Sequence, residues 1–441
     1  MGEAGVRFAG ARHGVPVLGG PGGFVGASQA AARAARLAAL HPGLVAVRQV
    51  GTSRGGRPLV LLSVGDGPRH VLAVGGPHPN EPVGTATALH LAERAVHEPR
   101  LRRGSSVTWN FLLCLDPDGA ALTEGWLRGP LTMERHYRYF YRPAVDGQPE
   151  WLPPPGADWA TLPETTALTG VIDELRPFLQ CSLHGVDVGG SFVQLTGDVP
   201  GLAEPFARSA AAAGVPLERG PYDAFRWPSP GPGTYLMPSA AAPADGSALT
   251  EDPACSTWSH AQRYGAVTAV VEVPMWAAPV VSDRAPSADP ERALAAAART
   301  LRAENEPLAE LLAQIRPLLR TPHGPLLRSV EWHLAVAPRQ ARDWEPAVAA
   351  GAGPLSDLTR ADLAGIEIQT HRMPLRITAM LARLLADAEG PAVGPLRQRV
   401  ARLVAERCSR LRDRFGARWV PVRDQVGHQA RTVVAVFDGL A

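Results

Sequence analysis

Within Val71-Leu-Ala-Val-Gly-Gly-Pro-His-Pro-Asn-Glu-Pro-Val-Gly84, an imidazole and a carboxylate, His78 and Glu81, stand three residues apart. An apolar run precedes them, and Pro82 opens a helical segment at a position where its missing N–H costs nothing. Nitrogen and carboxylate oxygen are ligands that zinc accepts, and the spacing lets both side chains point the same way. A second H-x-x-E, His90 to Glu93, falls inside the following helix and reads as ordinary helix surface.

Two further segments carry matching groups. Pro177-Phe-Leu-Gln-Cys-Ser-Leu-His184-Gly185 is an apolar run ending on a His-Gly turn, and Val267-Thr-Ala-Val-Val-Glu272-Val-Pro274 is a β-branched run with one carboxylate before a proline. Ligands of open α/β sheets gather outside the carboxyl ends of strands. Three strand ends would therefore bring together His78 with Glu81, His184, and Glu272. Two histidines and a glutamate leave one zinc coordination place open for water, the pattern of a catalytic site. Glu272 is then free to take that water's proton.

With these residues in place, the chain resembles the zinc carboxypeptidase (funnelin) family over roughly residues 28–280. Gly51-Thr-Ser-Arg-Gly-Gly-Arg-Pro58 resembles its early G-x-S-x-x-G-R turn, and Asp116-Pro-Asp-Gly119 its N-P-D-G turn with one substitution. His184-Gly185 stands where the third ligand is expected, and Glu272 sits in a V-E-V context like the catalytic glutamate. The resemblance implies one zinc per chain held by His78, Glu81 and His184, with Glu272 as base. It implies hydrolysis of an amide bond in a peptide or peptide-like substrate, as in a metallocarboxypeptidase.

The departures concern the substrate. Asn80 replaces the arginine that often precedes the ligand glutamate. The family supplies an oxyanion arginine and an Asn-Arg pair for the terminal carboxylate after the N-P-D-G turn. This chain offers Arg128, Arg135, Arg138 and Arg142 there, and no Asn-Arg pair. Arg128 is the expected oxyanion group, and Arg135 and Arg138 are the expected anchors. Thr257 and Trp258 lie where side-chain specificity is set, and with no acidic residue there neutral or apolar groups are expected. The tyrosine expected upstream of Glu272 has no well-spaced counterpart. An amidase or deacylase of small acylated substrates is the alternative, and a non-catalytic binding protein the third reading.

Positioning these groups requires a doubly flanked sheet. Strands are expected near 44–50, 58–65, 69–75, 106–114, 178–183, 191–196 and 266–273, with helices near 28–40, 83–97, 164–176 and 201–213. The fold class that follows is α/β: a mixed, mostly parallel twisted sheet flanked by helices, plus a C-terminal α-helical domain. Residues 1–27 read as a glycine-rich loop segment, 28–281 as the catalytic domain, and 289–441 as the helical domain, a route to a homo-oligomer. The aromatic- and proline-rich stretch 120–165 is read either as a wall of the substrate funnel or as a hydrophobic cluster packing the loop to the sheet. The Pro/Gly/Ala/Ser-rich stretch 226–252 is read as a mobile lid or an insertion.

Composition narrows the partners. A formal net charge of +2 exerts no pull toward nucleic acid or membrane surfaces. All 44 basic residues are arginine, which excludes Schiff-base chemistry on lysine. No apolar run approaches the length of a membrane span, the first residues lack a signal-peptide pattern, and the four cysteines are scattered. Reduced thiols and a cytoplasmic location are the resulting expectations.

Overall fold

The computed structural model describes residues 23–238, 253–321 and 323–440. Most of the expected N-terminal loop and the second half of the expected lid lie outside the described residues.

Among the described residues, nine strands form one sheet: β1 (Val45–Thr52), β2 (Pro58–Val64), β3 (Arg69–Gly75), β4 (Val107–Leu112), β5 (Leu179–Gly189), β6 (Phe192–Leu195), β7 (Thr234–Leu236), β8 (Val267–Ala277) and β9 (Arg418–Trp419). Their order is β1-β2-β4-β3-β5-β8-β6-β7, with β9 paired to β8. The central β4-β3-β5-β8 block is parallel, and the β1–β2, β2–β4, β6–β8 and β8–β9 pairs are antiparallel. The sheet is therefore mixed, as expected.

Helices α1 (Ala27–Leu40), α2 (Val83–His97), α3 (Pro117–Thr123), α4 (Met133–Arg138), α5 (Pro163–Leu175), α6 (Ala203–Ala212) and α7 (Thr257–Gln262) surround it. Leu59, Leu61, Leu72, Val74 and Leu112 from the sheet pack with Leu168, Val171 and Ile172 of α5 in a fully apolar layer. Alternate residues of the same strands, such as Leu62, Val71, Ala73 and Phe111, join the larger core with α1 and α2. The period-2 alternation of a strand supplies both faces at once.

The C-terminal part comprises α8 (Pro290–Ile315), α9 (Pro325–Asp343), α10 (Pro346–Ala349), α11 (Arg360–Leu384), α12 (Val393–Phe415) and α13 (Val422–Leu440). Helix α11 packs against α8, α9 and α12, and begins on a capping box between Thr359 and Asp362. Helix α13 instead packs on β8, α2 and α6, so the chain returns to the sheet at its end. No helix among the described residues is long and apolar enough to cross a membrane.

Two sequence expectations need correction. β5 and β8 do not stop at His184 and Glu272; their parallel ladder runs on through Gly189 and Ala277. His184 and Glu272 are thus mid-strand residues, and the site lies beside the strands, past the end of β3. The 120–165 stretch is not a bare loop either, since it contains α3, α4 and short helical turns. Trp126, Tyr137, Phe140 and Tyr141 join the main core, while Trp151 packs with Trp258 and Val270.

Candidate metal centre

The turn after β3 works through close approach. Gly76 adopts φ +57°, and a Cβ on Gly84 would stand 2.3 Å from the Leu183 carbonyl oxygen. Only glycine admits both the backbone turn and the contact of α2 with β5. The turn closes with the Glu81 N–H donating to the His78 carbonyl at 3.1 Å. His78 and Glu81 are buried together.

His184 arrives from β5 and completes the group. His78 Nδ1 lies 3.0 Å and His184 Nδ1 3.1 Å from the same atom, Glu81 Oε2. One ligand atom from each of the three residues falls within 4.8 Å of the others, all buried. Glu81 is fixed from two more directions, by the Gly185 N–H on Oε2 at 3.2 Å and Arg142 on Oε1 at 2.7 Å.

The far edges of both rings are held. His78 Nε2 meets Gln148 Oε1 at 3.1 Å, and His184 Nε2 meets Glu150 Oε2 at 2.8 Å. Gln148 Oε1 also accepts from Trp151 Nε1, so it is the amide oxygen that faces His78. With Nε2–H on each acceptor, both Nδ1 atoms present lone pairs toward a carboxylate oxygen. Three acceptor atoms aimed at one point repel unless a cation lies among them, and outward-held rings are what a metal-binding histidine requires. The residues fit a zinc ion.

With no cation at that point, the surrounding carboxylates favour a proton on His184 instead, which a bound metal would displace. Burial disfavours a charged His184, yet Glu150, Glu81 and Glu272 outweigh it and hold its pKa well above the usual range. Burial, then the Arg142 charge, push His78 down to about 4. Glu272 Oε1 stands 3.7 Å from His184 Nδ1, while its buried Oε2 has no hydrogen-bond partner among the described residues. Burial pushes the Glu272 carboxyl up to about 8.

The two early motifs meet each other. Asp116 caps α3 by accepting from the Gly119 N–H, and Asp118 accepts from Ser53, the Gly55 N–H and Arg57. They contribute no ligand atom to the cluster.

The expected arginines do not come to the cluster. Arg128 is exposed and paired with Glu124 at 2.9 Å. Arg135 donates to the carbonyls of Gly125 and Trp126 and lies against Tyr139, and Arg138 is exposed on α4. The guanidinium at the cluster is Arg142. Trp258 does line the cavity, and its Nε1 donates to Glu150 Oε1 at 2.9 Å. Thr257 is buried beside it, with its hydroxyl unpartnered among the described residues. The second H-x-x-E is not surface either: Glu93 is buried, and burial pushes its pKa up to about 7.

Gln148 and Glu150 were missed from the sequence. The available signal was a buried-type polar pair embedded between prolines and Trp151, in a stretch otherwise read for its aromatics. The cavity over the cluster is also lined by Tyr222, Asp223 and Trp227, and by Trp332 and His333 of α9 and Arg372 of α11.

Comparison with known proteins gives a family match over part of the chain. Residues 31–188 match the family model described as zinc carboxypeptidase. Among solved structures, the chain is similar to a metallo-carboxypeptidase from Burkholderia cenocepacia, with 19% identity, 55% of this chain and 59% of that chain covered, and a TM-score of 0.34. Carboxypeptidase A from Helicoverpa armigera gives 17%, 57%, 65% and 0.38 in the same order. A murein-tripeptide amidase from Escherichia coli O157 gives 18%, 52%, 82% and 0.28. The match thus spans less than two thirds of the length of the first two. No curated protein matches the chain.

Proposed function

We propose that the chain, whose residues 31–188 match the zinc carboxypeptidase family model, is a zinc-dependent hydrolase of an amide bond in a peptide or peptide-like substrate. The observation that carries this reading is the convergence of His78 Nδ1, His184 Nδ1 and Glu81 Oε2 beside the unpartnered Oε2 of Glu272.

In this reading His78, Glu81 and His184 hold the metal. Bound zinc supplies Lewis acidity and lowers the pKa of a water. Glu272 Oε2 accepts a proton from the attacking water and returns it to the leaving nitrogen, so the C–N bond breaks as the amine departs neutral. Glu150 and Gln148 keep the two imidazoles in the tautomer that leaves Nδ1 free. In this reading Arg142 replaces Arg128 in the oxyanion role, through the N–H groups it does not spend on Glu81 Oε1.

Metallocarboxypeptidase is the leading form. An amidase or deacylase is the second, favoured by one observation: neither of the expected anchors, Arg135 and Arg138, lines the cavity. A binding protein without catalysis leaves Glu272 unexplained. Metal analysis of the purified protein, combined with hydrolysis of free-carboxylate, amidated and N-acylated peptides, tests the reading. A chain that binds no zinc and cleaves none of the three refutes it.

A further inference from the structure

The cavity over the cluster is closed from one side by α9 and α11, which lie outside the residues matched by the family model. Three guanidinium groups line it: Arg142, Arg372 and Arg376. Two are neutralised within the protein. Arg142 pairs with Glu81 Oε1 at 2.7 Å, and Arg376 Nε donates to Asp187 Oδ2 at 2.8 Å.

Arg372 is in a different state. It is 4% exposed, yet its hydrogen bonding among the described residues is confined to Nε donating to Gln369 Oε1 at 3.0 Å. No carboxylate of the described residues forms an ion pair with it; Asp187, Asp223 and Glu218 act on it only through their fields. Both terminal nitrogens remain without a partner among the described residues. The residue as a whole is buried, yet neither nitrogen is sealed in the core, so both face the cavity with N–H groups open to an anionic ligand.

Its direction is also fixed. Gln369 Nε2 donates to Gln340 Oε1 at 3.1 Å, so the amide is locked between α9 and α11 with its oxygen toward Arg372. On the other side, the guanidinium carbon lies 5.0 Å from the centroid of the Tyr222 ring. A guanidinium held by a hydrogen bond at Nε and a ring on its face keeps the Nη1/Nη2 fork as its free edge.

We propose that Arg372 anchors the substrate by taking a carboxylate on its Nη1/Nη2 fork, so that the C-terminal helix α11 sets the selectivity of the site. The proposal deepens the hydrolase reading and rests on it. The substrate class becomes amides that also carry a carboxylate, recognised by a residue from a part of the chain the family model does not reach. Gln369 and Gln340 act as positioning residues, holding the fork in place.

The test uses N-acetyl-alanyl-phenylalanine and its C-terminal carboxamide as a matched pair. Calorimetry on zinc-loaded Glu272→Gln protein is expected to show the acid binding about a hundredfold tighter than the amide, the size of one charge-assisted bidentate pair. Adding Arg372→Gln should bring the two affinities together, and Arg372→Lys should keep part of the difference. In steady-state kinetics the acid-to-amide ratio of kcat/KM should fall from about a hundred toward one in Arg372→Gln, with most of the change in KM.

Equal binding of acid and amide to the parent site, or binding of neither, overturns the anchor without any Arg372 variant, so a misfolded Arg372→Gln cannot conceal failure. A hundredfold binding difference with no turnover of either compound refutes the hydrolase reading and leaves the anchor standing. Turnover of both at equal rates does the reverse.

Discussion

His184 and Glu272 are register partners on the parallel strands β5 and β8, and His184 Nδ1 stands 3.7 Å from Glu272 Oε1. A proposed ligand and a proposed base are therefore set at a fixed separation by a backbone ladder. Helix α13 reinforces that separation: Gln429 Nε2 donates to the carbonyls of both His184 and Val271, at 2.7 and 2.9 Å.

Zinc should bind at one equivalent per chain with ligand distances of about 2.0–2.2 Å. His78→Ala should lose both metal and hydrolysis, read by elemental analysis alongside peptide cleavage. Full occupancy in that variant would refute the ligand assignment.

Glu272→Gln should retain zinc and fold while turnover drops by about a hundredfold or more, the usual loss for a positioned general base. Turnover near that of the parent protein would make Glu272 a structural carboxylate.

Glu150→Gln tests the outer support of His184. The carboxylate accepts from His184, Ser182 and Trp258, so its replacement by an amide disturbs three donors at once. Zinc affinity should fall roughly 10- to 100-fold in a chelator competition, a range typical of lost support behind a histidine ligand. An unchanged affinity would show that the ring orientation does not depend on Glu150.

Acid stability should depend on Asp187. It is fully buried against Arg376 and accepts from the Tyr137 hydroxyl. Burial opposes its ionisation, but Arg376 and then His136 outweigh this and hold the carboxyl far below its ordinary range. Because the folded pKa is depressed, the unfolded chain binds the proton more readily. The stabilisation is complete above the unfolded value of about 3.9 and is lost as pH falls below it toward the folded value. Asp187→Asn should cost about 3–5 kcal/mol near neutral pH, because it strands the buried Arg376 charge. Denaturant titrations of the variant should then show a shallower loss of stability between about pH 5 and 2 than the parent protein does. Identical pH slopes would remove Asp187 from the account.

Much of this protein was legible in the chain itself. Apolar runs of strand length at 69–75, 178–183 and 266–273 and the periodic helix after Pro82 follow from local patterning, which acts over a few residues. His78 and Glu81 are close in sequence, and Gly76 and Gly84 mark the tight backbone between strand and helix. Tertiary structure decided everything that depends on distant segments meeting. Gln148 and Glu150 become supports of the histidines only because the segment after α4 folds back over β5. Among 44 arginines, sequence offered no means of separating the exposed Arg128 from the buried Arg372. Side-chain chemistry is identical in the two; what differs is desolvation and the neighbours that satisfy or leave open each N–H. Those are set by how α9 and α11 close over the sheet, a packing of helices far along the chain that no local pattern encodes.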